Sequence, residues 1–220
     1  MKESISTKNL TALPKSNELK KICQSIAMLD AILEPDWEFR YYSFNSKWDE
    51  TNQMASMRDG SGDHYFILFK PNGVIIKGFA HESVMGIYAV ERGHPWSGVL
   101  NNVPSEFNDF LTEPAFSTEE TSFCIWFKSS ENNWTIGDVR FPKGKDPDGS
   151  ASLLYILDGN PNAYIAWAEE YYDRNLQPKF VEAIYQHKLL TDKLVMGLNP
   201  NLSINDLQED IIEIGYPFEG

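Results

Sequence analysis

The sequence predicts an α+β protein: an antiparallel meander of about five or six strands over residues 37–141, one helix before it and a set of short helices over 150–214. Three observations carry that reading. Between Trp37 and Phe79 apolar and polar residues alternate and are cut by turn signals. Beyond Gly149 the apolar period changes from two to about 3.6. Strands and helices also occupy separate parts of the chain, whereas a parallel sheet would alternate them.

The first helix rests on Leu19, Ile22, Ile26, Leu29 and Leu33, which recur at three- and four-residue steps; Ser16 or Asn17 is placed to cap it and Pro35 to end it. Trp37, Phe39 and Tyr41 alternate with Glu38, Arg40 and Tyr42 as in a strand. Further strands are expected over Asn52–Arg58, His64–Phe69 and Val74–Phe79. Asp59-Gly60-Ser61-Gly62-Asp63 and Lys70-Pro71-Asn72-Gly73 make the turns between them. Residues 81–116 are the least periodic, with Pro104 placed to open a short helix through Phe107, Phe110 and Leu111. Thr121–Phe127 and Trp134–Phe141 form a second hairpin across Asn132-Asn133. The later helices begin at Ser150, at Asn160-Pro161, at Pro178, at Thr191 and at the Ser203/Asp206 capping pair. Residues 1–15, polar and broken by Pro14, read as a flexible arm ahead of a single domain over 16–220.

A chain of 220 residues, 42% hydrophobic, buries enough surface to need neither metal nor disulfide. Its two cysteines, Cys23 and Cys124, lie in apolar runs outside any ligand pattern and read as buried thiols. The absence of an apolar run after Lys2, Lys8 and Lys15, or anywhere at bilayer length, argues for a cytoplasmic protein with no membrane partner.

Charge narrows the function classes. The net charge is −13, yet residues 1–21 hold five Lys and two Glu, so 22–220 carry −16. Residues 93–127 and 195–220 contain five acids each and no Lys or Arg. Such a field repels nucleic-acid phosphates and anionic lipid and speeds encounter with a basic protein. Solubility alone also explains acidity.

No P-loop, Rossmann fingerprint, G-x-S-x-G or H-E-x-x-H occurs, and no cofactor is implied. Asp146-Pro147-Asp148-Gly149-Ser150 echoes a calcium loop but lacks the later ligands, and a turn into a helix explains it. Glu169, Glu170 and Asp173 read as a solvated helix face. Six residues stand out as candidate binding residues. His81, Glu82 and His94 would form an acid–base pocket if they converged at the end of the sheet. Trp48, Trp96 and Trp134 lie in or beside turns, where an aromatic side chain serves a binding surface, whereas Trp37, Trp126 and Trp167 read as core. The reading is therefore a non-enzymatic binding protein with an acidic face toward a basic protein partner. The alternative is a small-molecule-binding domain or enzyme centred on His81, Glu82 and His94. Neither fixes an oligomeric state.

The segments Leu29–Leu33, Trp37–Asn45, Met54–Gly62, Ile76–Ser83 and Asp158–Pro161 together resemble a bacterial family of soluble proteins with no assigned activity. In size, charge and class the chain is also similar in character to immunity proteins, which neutralise toxins. That likeness implies a protein partner and no site residues.

Overall fold

The computed structural model describes residues 4–89 and 93–219. At its centre is a six-stranded antiparallel meander: β1 (Tyr42–Asn45), β2 (Gln53–Arg58), β3 (His64–Lys70), β4 (Gly73–Phe79), β5 (Phe123–Lys128) and β6 (Asn133–Ile136), paired in chain order. Register places one side chain from each strand in a single row, Phe44–Ala55–Ile67–Ile76–Ile125–Ile136. Because side chains alternate across a strand, the neighbouring row belongs to the opposite face. That second row runs Ser43–Ser56–Phe66–Lys77–Cys124.

Helices cover the first face. α1 (Ser16–Leu33) crosses it with Leu19, Ile26, Met28, Leu29 and Ile32 buried. Around it pack α4 (Pro161–Tyr172), α5 (Pro178–Tyr185), α6 (Asp192–Leu198) and α7 (Gln208–Ile214), closing one continuous core. The other face meets residues 81–89 and 93–122, which include short 3-10 turns and the single-turn α2 (Asn108–Thr112). Phe107, Phe110, Phe116 and Val99 press onto Phe66, Leu68, Ile75 and Trp126 to make a second, smaller core. β4, covered from both sides, is buried at every position.

The start signals of the later helices act as their chemistry requires. Asn160 accepts from the Asn162 N–H, Thr191 accepts from the Leu194 N–H, and Ser203 and Asp206 form a capping box. Asp146 and Asp148, the calcium-like pair, accept N–H groups at the start of α3 (Ser150–Leu154).

Four expectations are corrected. The helix cap does not fall on Ser16 or Asn17: Lys15 flanks α1 and supplies no side-chain bond. Residues 37–39 form a 3-10 turn and not a strand, because the Asp36 carboxylate accepts the Glu38 N–H and coils the chain there. Trp37, expected in the core, is consequently 62% exposed. The arm is held from Ser4 onward: Ile5 and Leu13 are buried, and Thr7 bonds Ser150 through its N–H and Asp148 through its hydroxyl. Last, β6 stops at Ile136. Gly137 and Gly98 cross so closely that a Cβ on Gly137 would lie 2.0 Å from the Gly98 carbonyl oxygen, which leaves no room for a partner strand.

Candidate functional site: an aromatic groove at the open end of the sheet

The cover formed by residues 81–89 and 93–122 thins past β3: Met54 of β2 is still buried in its core, while Ser43, Asn45 and Ser56 on the same face are half-buried. There a groove of about 180 Å³ has Ser43, Asn45, Met54 and Ser56 as its floor. Trp37, Trp48, Phe66 and Phe116 supply its aromatic walls, with Arg58 and Glu213 at its edges. The Ser43 and Ser56 hydroxyls share a 2.7 Å hydrogen bond, and the Arg58 guanidinium lies 5.1 Å from the Phe66 ring centroid. Inside the wall, the Phe116 ring packs 4.7 Å from Phe66, 4.9 Å from Phe110 and 5.7 Å from Trp48.

The two tryptophans are exposed, 62% for Trp37 and 44% for Trp48, yet both sit on firmly held turns. Around Trp37, Arg40 donates to the Glu34 and Pro35 carbonyls and forms a two-pronged pair with Asp210 of α7. The Tyr171 hydroxyl donates to the Phe39 carbonyl. Buried Asp30 of α1 accepts the N–H groups of Tyr41 and Tyr42 and the Tyr164 hydroxyl, and burial pushes its carboxyl up to about 7. The Trp48 turn is closed by Asp49, which accepts from the Thr51 and Asn52 N–H groups and the Asn52 amide; those bonds hold its carboxyl below the usual range. Ser46 donates its N–H to the Glu213 carbonyl at 2.7 Å and ties that turn to α7.

Acids neighbour both tryptophans in sequence: Trp37 lies between Asp36 and Glu38, and Trp48 lies between Lys47 and the pair Asp49-Glu50. The groove also draws one residue from each stretch that lacks Lys and Arg, Phe116 from 93–127 and Glu213 from 195–220. Of the acids in those two stretches, Glu213 alone lines the groove.

The six residues singled out from sequence fall in different places. Trp48 lines the groove. The indole N–H of Trp96 donates to the Arg140 carbonyl (3.2 Å) and that of Trp134 to the Pro14 carbonyl (3.0 Å), and both rings lie half-buried against the cores. His81 is the clasp of the β2–β3 turn. Asp63 Oδ1 accepts its backbone N–H at 2.8 Å and stands 2.7 Å from Nδ1, and this bond raises the imidazole pKa. Glu82 lies 3.9 Å from the other ring nitrogen. His94 is exposed, with Nδ1 3.0 Å from the Pro95 carbonyl oxygen. None of these three lines the groove.

Trp37 is the residue that sequence reading placed wrongly. Its signal was Pro35-Asp36, a break followed by a capping acid, which outweighs three alternating aromatics. Among the described residues no group of three or more His, Cys, Asp or Glu side chains is arranged to hold a metal ion. A wider depression of about 710 Å³ opens beside the start of α1. Its Lys70 is engaged by the Asp109 carboxylate and the Glu106 carbonyl. No helix is long and apolar enough to cross a membrane among the described residues. No family model, curated protein or solved structure matches this chain.

Proposed function

We propose that this is a non-enzymatic binding protein whose groove over β1 and β2 receives a cationic segment of a partner protein. The observation that carries the reading is the pair of exposed tryptophans on hydrogen-bonded turns that also hold Asp36, Glu38, Asp49 and Glu50. A Lys or Arg side chain laid on an indole face gains about 0.5–2 kcal/mol, and Trp is the best of the aromatic platforms. The carboxylates of Asp36, Glu38, Asp49, Glu50 and Glu213 add to that attraction, and the hydroxyls of Ser43 and Ser56 offer acceptors. Turns already fixed by hydrogen bonds lose little entropy on binding, which is what makes a side chain an effective anchor. The wider acidic field contributes chiefly to the rate of encounter.

An immunity-type role, with a basic toxin as the partner, is the specific form of this reading that the likeness in sequence character suggests. A cytoplasmic setting belongs to the same proposal. The test is a titration with a lysine- and arginine-rich peptide, followed by tryptophan fluorescence at low and high salt. Saturable binding that weakens with salt and disappears in Trp37→Ala/Trp48→Ala is expected. Equal binding by that double variant, or equal binding of a glutamate-rich peptide, would refute the reading.

A further inference from the structure

Lys77 occupies the centre of the sheet, on β4, and is fully buried. In its row it stands between Phe66 on β3 and Cys124 on β5, and the ammonium lies 5.8 Å from the Phe66 ring centroid. Among the described residues no carboxylate bonds it. Its hydrogen bonds go instead to two consecutive backbone carbonyls of the covering layer, Phe116 and Ser117. Ser117, between those carbonyls, has φ +44°, a left-handed conformation that an L-residue other than glycine adopts at a cost. A hydrophobic side chain of similar length would fill the site without the desolvation penalty of a buried charge. The penalty is visible in the amine itself, whose pKa burial pushes down to about 8. An apolar residue would, however, take from the Phe116 carbonyl the donor that Lys77 supplies.

The pinned carbonyl belongs to the residue whose ring is the groove's inner wall. Phe116 lines the groove and touches Trp48, Phe66 and Phe110. Around it the chain is a run of short 3-10 turns, Pro114–Phe116 and Thr118–Glu120, with no long helix to hold its place. The row from Lys77 through Phe66 to Ser56 and Ser43 connects the pin to the groove floor within one face of the sheet.

We propose that Lys77 is a positioning residue for the groove: its ammonium fixes the Phe116–Ser117 backbone so that the Phe116 ring stands as the groove's inner wall. The inference deepens the binding reading and rests on it for its purpose, but the positioning itself is measurable without any partner.

The experiment compares wild type with Lys77→Met and, as a control for general core damage, Ile75→Val on the same strand and face. Hydrogen exchange of the 113–121 amides reports the order of the wall, denaturant unfolding reports global stability, and titration with the lysine- and arginine-rich peptide reports binding. In Lys77→Met, exchange at Ser117, Glu120 and Thr121 is expected to rise at least tenfold and peptide affinity to fall at least tenfold. The unfolding midpoint should fall modestly, because the Phe116 carbonyl loses its donor. Ile75→Val should lower the midpoint and leave exchange at 113–121 unchanged relative to the rest of the chain. Lys77→Gln, which keeps two N–H donors, should recover part of the protection. Unchanged exchange at 113–121 in a folded Lys77→Met protein would overturn the proposal. If Lys77→Met does not fold, wild type decides: through-hydrogen-bond coupling from the Lys77 ammonium nitrogen to the Phe116 or Ser117 carbonyl carbon is expected, and a rapidly exchanging ammonium without it would overturn the pin. A wild-type protein that shows the pin but binds no cationic peptide would sink the binding reading and leave the positioning intact.

Discussion

The two faces of the sheet are closed by different means. On one, the 18-residue α1 and the shorter helices packed around it share one continuous apolar core with the sheet, including the row from Phe44 to Ile136. On the other, residues 81–89 and 93–122 cover β3 to β5 and Met54 of β2 with short turns, leaving Ser43, Asn45 and Ser56 half-buried. A helix satisfies its own backbone and can pack dry; irregular chain cannot, and its carbonyls need donors from elsewhere. That difference accounts for a lysine at the centre of one face and only apolar side chains at the centre of the other. Trp37 and Trp48 line the groove beside the last of that cover, Phe116.

The comparison breaks most visibly in the helix-covered face. Ile76→Ala removes a fully buried side chain at the middle of the row and is expected to cost about 2–5 kcal/mol in denaturant unfolding. The same experiment on Trp37→Ala or Trp48→Ala should move the midpoint little, because both rings are exposed. Each should instead weaken binding of the cationic peptide by about 2 kcal/mol or more, the range of a central anchor, read by titration calorimetry. Between these faces the cap of a single helix ranks lower: Asn160→Ala should cost about 1 kcal/mol in stability and nothing in binding.

A pH dependence sharpens the helix-covered side further. Asp30 titrates near 7 in the folded protein and near the ordinary carboxylate value when unfolded, since burial disfavours its charged form. Between about pH 4 and pH 7 the native state therefore holds a proton that the unfolded state has released. The contribution of Asp30 to stability is fully present below about pH 4 and declines as pH rises toward 7. Unfolding midpoints measured across that window should show this slope in wild type and lose it in Asp30→Asn.

Much of this architecture is legible in the chain. Asn160-Pro161, Pro178, Thr191 and Ser203/Asp206 carry the local chemistry of helix starts, and Asp59–Asp63 and Lys70–Gly73 that of strand turns, so those elements follow from short-range rules. What escapes such rules depends on distant contacts. The ends of β6 depend on Gly98 crossing Gly137, and the hold on residues 4–14 depends on Asp148, Ser150 and Trp134, more than a hundred residues away. The groove itself was half visible. Trp48 sat in an evident loop, whereas Trp37 was hidden by an alternation that fits a strand equally well. The buried state of Lys77 had no local mark, because a lysine in a half-covered strand would simply point outward.

The most direct test of the central claim is the indole N–H spectrum of the protein with and without the lysine- and arginine-rich peptide. Six tryptophans give six assignable signals. The account predicts saturable shifts of Trp37 and Trp48, with Trp96, Trp126, Trp134 and Trp167 unmoved. Shifts confined to Trp96 or Trp134, or six signals indifferent to the peptide, would contradict it.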